Sequence, residues 1–292
     1  MFYVESLDMV VIASITNIKL FSINYTTGNL TLVTEVTRTV LAGYTGTVAQ
    51  VRDNQFVITL SKDYVTSTSG STVNRLASLL AYSYEISATE ITYKNGKSVS
   101  KSYATTGTSS NSYYIHIGVI SSISDKNGSI LVQCSQKSGS YLRSFYIAIQ
   151  VDINGIITLP ALIAGYVYAV TNWECDSCFS GRTYDDAGTP RPIVYLIDGL
   201  RSSASYCRQF YISATSTLVP ITNTLITKTT ELQTWLNMYF NTGEWWHQGS
   251  VRNKVIERSD GSIFLRITAF KLGIPPTSNY ETHVTNAAAS FI

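Results

Sequence analysis

The sequence predicts an all-β fold: a β-propeller of about five four-stranded antiparallel blades with one short helix, a β-sandwich or barrel being the alternative. A polar turn followed by β-branched and aromatic residues recurs along the chain, alternating strands follow these runs, and the composition favours strands. We expect residues 1–292 to form a single propeller-like domain, because all-β domains of this length are commonly undivided.

The recurring element begins with polar turn residues and continues with an apolar run. Its copies lie at 8–12, 54–58, 128–132, 191–195 and 261–265. The intervals between the copies are unequal, and we attribute much of the excess length to loop insertions at 62–74 and 179–191. The segments 62–72 and 95–112 are rich in Ser, Thr, Gly and Lys, and we predict that they are surface loops.

Further strands complete each unit. An alternating strand follows four of the copies, as a strand buried on one face requires, and a turn then leads into a short third strand. A fourth strand precedes the polar turn, as at 46–51 and 118–123. The last unit lacks one strand, which either 2–4 or 282–284 can supply. Four antiparallel strands about every 60 residues are typical of propeller blades.

One helix is predicted after residue 229. Thr230 is a suitable N-cap, and apolar residues then follow at helical spacing from Leu232 to Phe240. We expect this helix to cover one end of the β domain, with docking to a partner as the alternative.

The charge content of the sequence limits the classes of binding partner that can be predicted. Charged residues make up 14% of the chain, and the formal net charge is +2. Such a balance predicts neither a nucleic-acid nor a membrane partner. The N-terminus lacks the basic region of a secretory signal, and the longest apolar run, 159–170, is too short to span a bilayer.

The four cysteines predict no zinc site, because Cys175 and Cys178 form a C-x-x-C pair without a second pair. Cys134 and Cys207 stand alone in the sequence. We interpret all four as structural thiols, with a local disulfide or a metal site as alternatives.

Two short stretches resemble known propeller families. Residues 20–31 resemble the strand and T-G-x-L turn of YVTN and lactonase-like propellers. Residues 124–128 and 259–262 resemble the Asp-box turn of sialidase-like propellers, although Ile130 and Ile263 stand where that box has an aromatic residue. Each resemblance covers about a dozen residues and implies a propeller fold without an activity.

No catalytic, cofactor-binding or metal-binding residue can be selected from the sequence. The spacing of the loop carboxylates defines no acid/base pair; these residues are Glu174, Asp176, Asp185, Asp186, Asp198, Glu244 and Glu257. The imidazoles of His116, His247 and His283 are far apart in the sequence. We therefore predict that the chain is not an enzyme and needs no cofactor.

The most unusual local cluster is Trp245, Trp246 and His247. Two adjacent tryptophans cannot easily face one core, so we predict an interface or a glycan contact here, to which Trp173 is a further candidate. In the alternative interpretation both tryptophans pack under the helix.

These features favour a structural or adhesion component of a bacteriophage particle, such as a tail, fibre or head-decoration protein. Its expected location is the virion, with the cell exterior or surface as the alternative. Its expected partners are other virion proteins or further copies of itself, together with a cell-surface glycan. The alternatives are a propeller enzyme of the glycosidase or lactonase type and a lectin-like module.

Overall fold

The structure is a computed structural model, and the description covers residues 1–39, 42–106, 113–138, 141–161, 169–170, 176–197, 207–221, 249–257, 263–272 and 281–291. Within these ranges the chain forms twenty strands and one 3-10 turn, Glu5–Leu7. The strands are β1 (Phe2–Val4), β2 (Met9–Ala13), β3 (Asn17–Asn24), β4 (Asn29–Thr37), β5 (Thr45–Arg52), β6 (Gln55–Ser69), β7 (Thr72–Ile86), β8 (Ile91–Thr106), β9 (Tyr113–Ser124), β10 (Ser129–Ser138), β11 (Tyr141–Val151), β12 (Ile157–Thr158), β13 (Ala169–Val170), β14 (Asp176–Asp186), β15 (Thr189–Ile197), β16 (Cys207–Ile212), β17 (Leu218–Pro220), β18 (Gly249–Glu257), β19 (Ile263–Leu272) and β20 (Glu281–Phe291).

The described strands form five sheets, each built on an antiparallel up-and-down meander. Sheets 1 to 4 contain the four-stranded meanders β1–β4, β5–β8, β9–β12 and β14–β17, and sheet 5 contains β18–β20. In sheet 3, β13 also pairs with β11. Neighbours in the sequence are neighbours in each of these meanders, and none of the described sheets closes on itself into a barrel. The predicted all-β, propeller-like architecture is therefore confirmed.

The chain divides into two compact units. The first contains Met1–Ala169 and Ala214–Thr217, with sheets 1 to 3; the second contains Val170–Ser213 and Leu218–Ile292, with sheets 4 and 5. The expectation of a single domain stays a prediction. No helix among the described residues is long and apolar enough to cross a membrane.

In the first unit, sheet 2 packs between sheets 1 and 3. Alternate residues of a strand point to opposite faces, so Phe56 and Ile58 face sheet 1 whereas Val57 faces sheet 3. Val11 and Leu20 of sheet 1 complete the first core. Ile130, Val132, Ile147 and Ile149 of sheet 3 contribute to the second. Such face-to-face packing of successive meanders is the relation between blades in a propeller.

The first strands of the three sheets lie side by side. The buried Gln50 amide on β5 donates a 3.0 Å hydrogen bond to the carbonyl oxygen of Tyr3 on β1. The hydroxyls of Thr47 on β5 and Ser122 on β9 lie 3.1 Å apart. In the second unit, β14 lies next to β18 in the same way. We call β1, β5 and β9 the inner strands.

Three predicted loops are strands instead. The segment 62–72 forms the distal part of the β6–β7 hairpin, 95–106 belongs to β8, and 179–191 forms most of the β14–β15 hairpin. The loop prediction was wrong because Ser and Thr, interspersed with Val and Tyr, suit a pleated strand as well as a polar loop.

The missing strand of the last unit comes from the C-terminal end. Phe270 pairs with Val284 and Lys271 with Thr282, so β20 supplies the third strand of sheet 5, whereas β1 pairs with β2 in sheet 1. The predicted helix from Thr230 to Phe240 lies outside the described residues.

A single arginine joins sheet 2 to the turns of sheet 3. Arg52 donates through Nη1 to Gln55 Oε1 at 2.7 Å and to the carbonyl of Asp152 at 2.9 Å. Through Nη2 it donates to the carbonyls of Val151 at 2.8 Å and Asn127 at 3.1 Å. We call this set of contacts the Arg52 clamp. The carbonyl dipoles provide the hydrogen bonds that a partly buried guanidinium needs. The same contacts hold the turn at 125–128 and the turn at 152–155 in place.

Gly128 makes the approach of the clamp possible. Its φ is +114°, which residues with a side chain rarely adopt. A Cβ at this position would lie 2.2 Å from Arg52 Nη2 and 2.6 Å from the carbonyl oxygen of Val151. The turn therefore requires glycine for both its backbone conformation and its contact with the clamp.

We predict that Gly128→Ala lowers the free energy of unfolding by about 2–4 kcal/mol, because backbone strain is added to a clash with the clamp. The matched control is Gly28→Ala, whose φ is +72° and whose Cβ would meet nothing within 4 Å. The control should lose about 1 kcal/mol. Urea unfolding of both variants checks this, and equal losses would contradict it.

Candidate functional site

A groove of about 600 Å³ opens at the inner strands of the first unit. It is lined by residues of β1, β5 and β9 and of the turns that follow them: Met1, Phe2, Tyr3, Glu5, Val48, Ala49, Gln50, Asp53, Ser122, Ser124 and Lys126. We call it the inner-strand groove. Its volume suits a small molecule, and its lining combines apolar walls with a few charged and hydroxyl groups.

The charged groups come from three equivalent turns. Glu5 belongs to the turn between β1 and β2, Asp53 to the turn between β5 and β6, and Lys126 to the turn between β9 and β10. Because the inner strands lie side by side, these turns meet at one end of the groove. The recurring polar turn of the sequence is thus the element that carries the site.

Asp53 holds the first turn in place. One carboxylate oxygen accepts a 2.7 Å hydrogen bond from the Glu5 amide, and the other accepts a 2.9 Å bond from the Ser6 amide. Burial raises the pKa of Asp53, but hydrogen bonds from Ser6 and Glu5 and the positive charge of Lys126 outweigh burial and lower it below its usual range. Asp53 is therefore a fixed anion that orients Glu5.

A tight turn presents Lys126 at the same end. Asp125 Oδ1 accepts 2.8 Å hydrogen bonds from the amides of Asn127 and Ser129, and Ser124 Oγ accepts one of 2.9 Å from the Lys126 amide. Lys126 itself has a φ of +59°. These bonds close the turn that resembles an Asp box, and they leave the Lys126 side chain exposed.

Tyr3 is fixed by a carboxylate at the edge of the groove. Its hydroxyl donates a 2.6 Å hydrogen bond to Asp8 Oδ1, and the Tyr25 hydroxyl donates to the same oxygen. These two bonds, that of Tyr25 first, lower the pKa of Asp8, and the bond to Asp8 raises the pKa of Tyr3. Tyr3 is thus kept neutral as a hydrogen-bonding and stacking group.

The arrangement places an exposed carboxylate, an exposed ammonium and two serine hydroxyls around one groove. Glu5 can accept a proton, Lys126 can stabilise a developing negative charge, and Ser122 and Ser124 can bind substrate hydroxyls. No group of three or more metal-binding side chains occurs in the described part of the chain.

The sequence-predicted contact residues lie elsewhere. Trp173, Trp245, Trp246 and His247 fall outside the described residues, so the predicted interface or glycan contact stays a prediction.

The loop carboxylates that the structure describes have local roles. Asp185 Oδ1 accepts a 2.7 Å hydrogen bond from the Gly188 amide, and Asp186 pairs with Arg191 at 3.3 Å. Both lie at the end of β14, beside the tight turn that leads to β15. Asp176 begins β14 and Glu257 ends β18, so these predicted loop carboxylates are strand residues. Glu174, Asp198 and Glu244 fall outside the described residues.

The cysteines are partly described. Cys134 is a buried thiol in the core between sheets 2 and 3, where burial raises its pKa. Cys178 lies on β14 and Cys207 begins β16, whereas Cys175 falls outside the described residues. The interpretation of Cys175 and Cys178 as structural thiols, with a local disulfide as the alternative, stays a prediction.

Sequence reasoning missed Glu5, Asp53 and Lys126. Asp53 and Glu5 are 48 positions apart, and nothing in the sequence shows that they meet. The sequence does contain one indication of this site. Each of the three residues follows the first strand of its repeat unit, so an alignment of the unit sequences would have placed their turns at equivalent positions.

Comparisons with known proteins do not identify a family for this chain. No protein family and no curated protein matches the chain. A solved structure of a "putative 6-phosphogluconolactonase" from Bacteroides fragilis aligns over 94% of this chain and 91% of its own, at 9% identity and a TM-score of 0.23. At this TM-score the likeness supports no residue assignment.

One expectation is nevertheless corrected by this comparison. The prediction that the chain is not an enzyme is contradicted, because the protein found is named as an enzyme, and we do not maintain it. No comparison supports a role in a bacteriophage particle, so that role, its virion partners and its location stay predictions.

We predict that Asp53→Asn lowers the free energy of unfolding at pH 7 by about 1 kcal/mol, the usual value of a carboxylate that caps backbone amides. The folded-state pKa of Asp53 is lowered, so its stabilisation is present above the unfolded value of about 3.9 and is lost progressively as the pH falls from there through the lower folded-state pKa. Urea unfolding between pH 7 and pH 2 should show the two proteins converge in acid. A difference that persists unchanged at pH 2 would contradict the prediction.

Proposed function

We propose that the chain is a propeller-fold hydrolase that binds a small hydroxylated substrate in the inner-strand groove and hydrolyses an ester or lactone bond. The observation that carries this proposal is the convergence of Glu5, Lys126 and two serines on one groove of about 600 Å³.

Substrate binding uses the hydroxyl and apolar groups of the walls. Ser122 and Ser124 are half-buried and provide donors and acceptors for substrate hydroxyls, and Tyr3 provides an aromatic surface against which a ring can stack. A sugar lactone offers hydroxyl groups at the edge of its ring for the serines and an apolar ring face for Tyr3.

Hydrolysis then uses the two charges. Glu5 removes a proton from a water molecule as the water oxygen attacks the acyl carbon, and Lys126 stabilises the negative charge on the carbonyl oxygen. When the bond between the acyl carbon and the ring oxygen breaks, the proton held by Glu5 passes to the departing oxygen. The products are an acid and an alcohol within one opened molecule.

Ester or lactone cleavage fits this groove better than glycoside cleavage. A glycosidase needs one carboxyl group that remains protonated, which requires a raised pKa. Hydrogen bonds and Lys126 lower the pKa of Asp53 instead. Asp53 is suited to positioning Glu5 rather than to donating a proton.

We predict that Glu5→Gln lowers kcat for sugar lactones by about 10²–10⁴-fold, because it removes the proton acceptor. Acid release above the uncatalysed rate, followed by titration at constant pH, measures this. The matched control is Glu90→Gln, the same change at an exposed residue of the β7–β8 turn that does not line the groove.

Wild-type turnover by Glu5→Gln would contradict the assignment of Glu5. If the wild-type chain binds lactones in the groove without hydrolysing them, the enzyme proposal fails in favour of the lectin-like alternative. p-Nitrophenyl glycosides serve as the comparison substrates, and faster turnover of these would favour the glycosidase alternative.

A further inference from the structure

A second polar cluster lies on the face of sheet 2 that packs towards sheet 1, separate from the residues that line the groove. Its members are Arg38, Tyr44, Lys62, Tyr64 and Tyr82, which we call the cation–tyrosine cluster. Lys62 and Tyr64 share one face of β6, Tyr82 lies on β7, Arg38 follows β4, and Tyr44 precedes β5.

Aromatic rings surround both cations. The Arg38 guanidinium lies 4.1 Å from the centroid of the Tyr82 ring, and Lys62 Nζ lies 5.5 Å from that of Tyr44 and 5.4 Å from that of Tyr64. Burial and the neighbouring hydroxyls of Tyr64 and Tyr82 raise the pKa of Tyr44, so the three rings share one environment. Two positive charges are thus held together on a tyrosine surface.

Neither cation has an anionic partner among the described residues. The ion pairs described there use Lys19, Arg75, Lys94 and Arg191. Asp63, next to Lys62 in the sequence, is on the opposite face of β6 and pairs with Arg75 at 3.1 Å.

The cations also retain unused hydrogen-bonding capacity. Lys62 Nζ donates to the Ala42 carbonyl at 2.7 Å, which uses one of its three donors. Arg38 Nη1 is buried and has no hydrogen-bond partner. A buried donor without a partner costs free energy, so the cluster is incomplete as a purely structural element.

From this geometry we infer that the cation–tyrosine cluster binds an acidic saccharide. The carboxylate or sulfate of the sugar supplies the anion that Lys62 lacks, the positive charge of Arg38 adds to the attraction, and the exposed Tyr64 contacts the ring and hydroxyls of the sugar. A nucleic acid would require a longer basic track, and the net charge of the chain is only +2. The inference is independent of the hydrolase proposal.

Binding of tri-galacturonate to the full chain by calorimetry tests the inference. We expect tri-galacturonate to bind more tightly than the uncharged galactotriose and more tightly than free sulfate, and its affinity should fall with ionic strength. Lys62→Gln should weaken binding about tenfold or more, the loss expected for one charge-assisted hydrogen bond. Tyr64→Leu should also weaken binding, because it removes a ring that is 37% exposed.

The matched control is Lys97→Gln on β8, which makes the same charge change at an exposed lysine outside the cluster. It should bind tri-galacturonate as the wild type does, and the thermal unfolding of every variant confirms that it is folded. Equal losses in Lys62→Gln and Lys97→Gln, no binding of tri-galacturonate, or equal binding of galactotriose would each overturn the inference. Equal binding of free sulfate would also overturn it, since it would indicate a site for simple anions.

Discussion

The first unit depends on the interaction of Arg52 with the turns of the neighbouring sheet. One guanidinium accounts for four hydrogen bonds, three of them to backbone carbonyls. Backbone carbonyl oxygens at the ends of strands require hydrogen-bond donors, and a guanidinium that is removed from water requires hydrogen-bond acceptors. The Arg52 clamp satisfies both requirements and thereby sets the position of sheet 3 against sheet 2. The turn that carries Lys126 is held by the same contact, because Asn127 and Gly128 belong to it.

The inner-strand groove follows from this constraint. Gln50 and Asp53 join the inner edge of sheet 2 to sheet 1, while Arg52, between them on the same strand and turn, joins it to sheet 3. Three consecutive sheets are therefore fixed to one another at their inner strands, and the turns that follow these strands meet. The walls between these turns contain hydroxyl and amide groups rather than many charges, in keeping with a chain that has 14% charged residues. In the proposed function, such a site recognises hydroxyl groups by hydrogen bonding and uses its few charges for chemistry or orientation.

Strand periodicity predicted most of the fold, because alternation and polar turns are local signals. The five recurring turn and strand elements correspond to β2, β6, β10, β15 and β19. The distal β6–β7 hairpin was mistaken for a loop because Ser67, Thr68 and Ser69 have no apolar alternation, although they are paired in a ladder. The groove could not be predicted, since Glu5 and Asp53 are brought together by packing between sheets. The cation–tyrosine cluster was missed for the same reason: Arg38 follows the last strand of sheet 1, whereas Lys62 lies in sheet 2.

The central claim is that the ends of the inner strands form the site that binds a small hydroxylated molecule. Hydrogen–deuterium exchange of the full chain, with and without the lactam analogue of a sugar lactone, tests it most directly, because this uncharged ligand resists hydrolysis and offers no carboxylate to the cation–tyrosine cluster. The account predicts slower amide exchange at 48–53 and 122–126, with the distal hairpin 62–75 unchanged. Protection confined to regions outside the inner-strand groove, in a chain that hydrolyses the lactone, would contradict it.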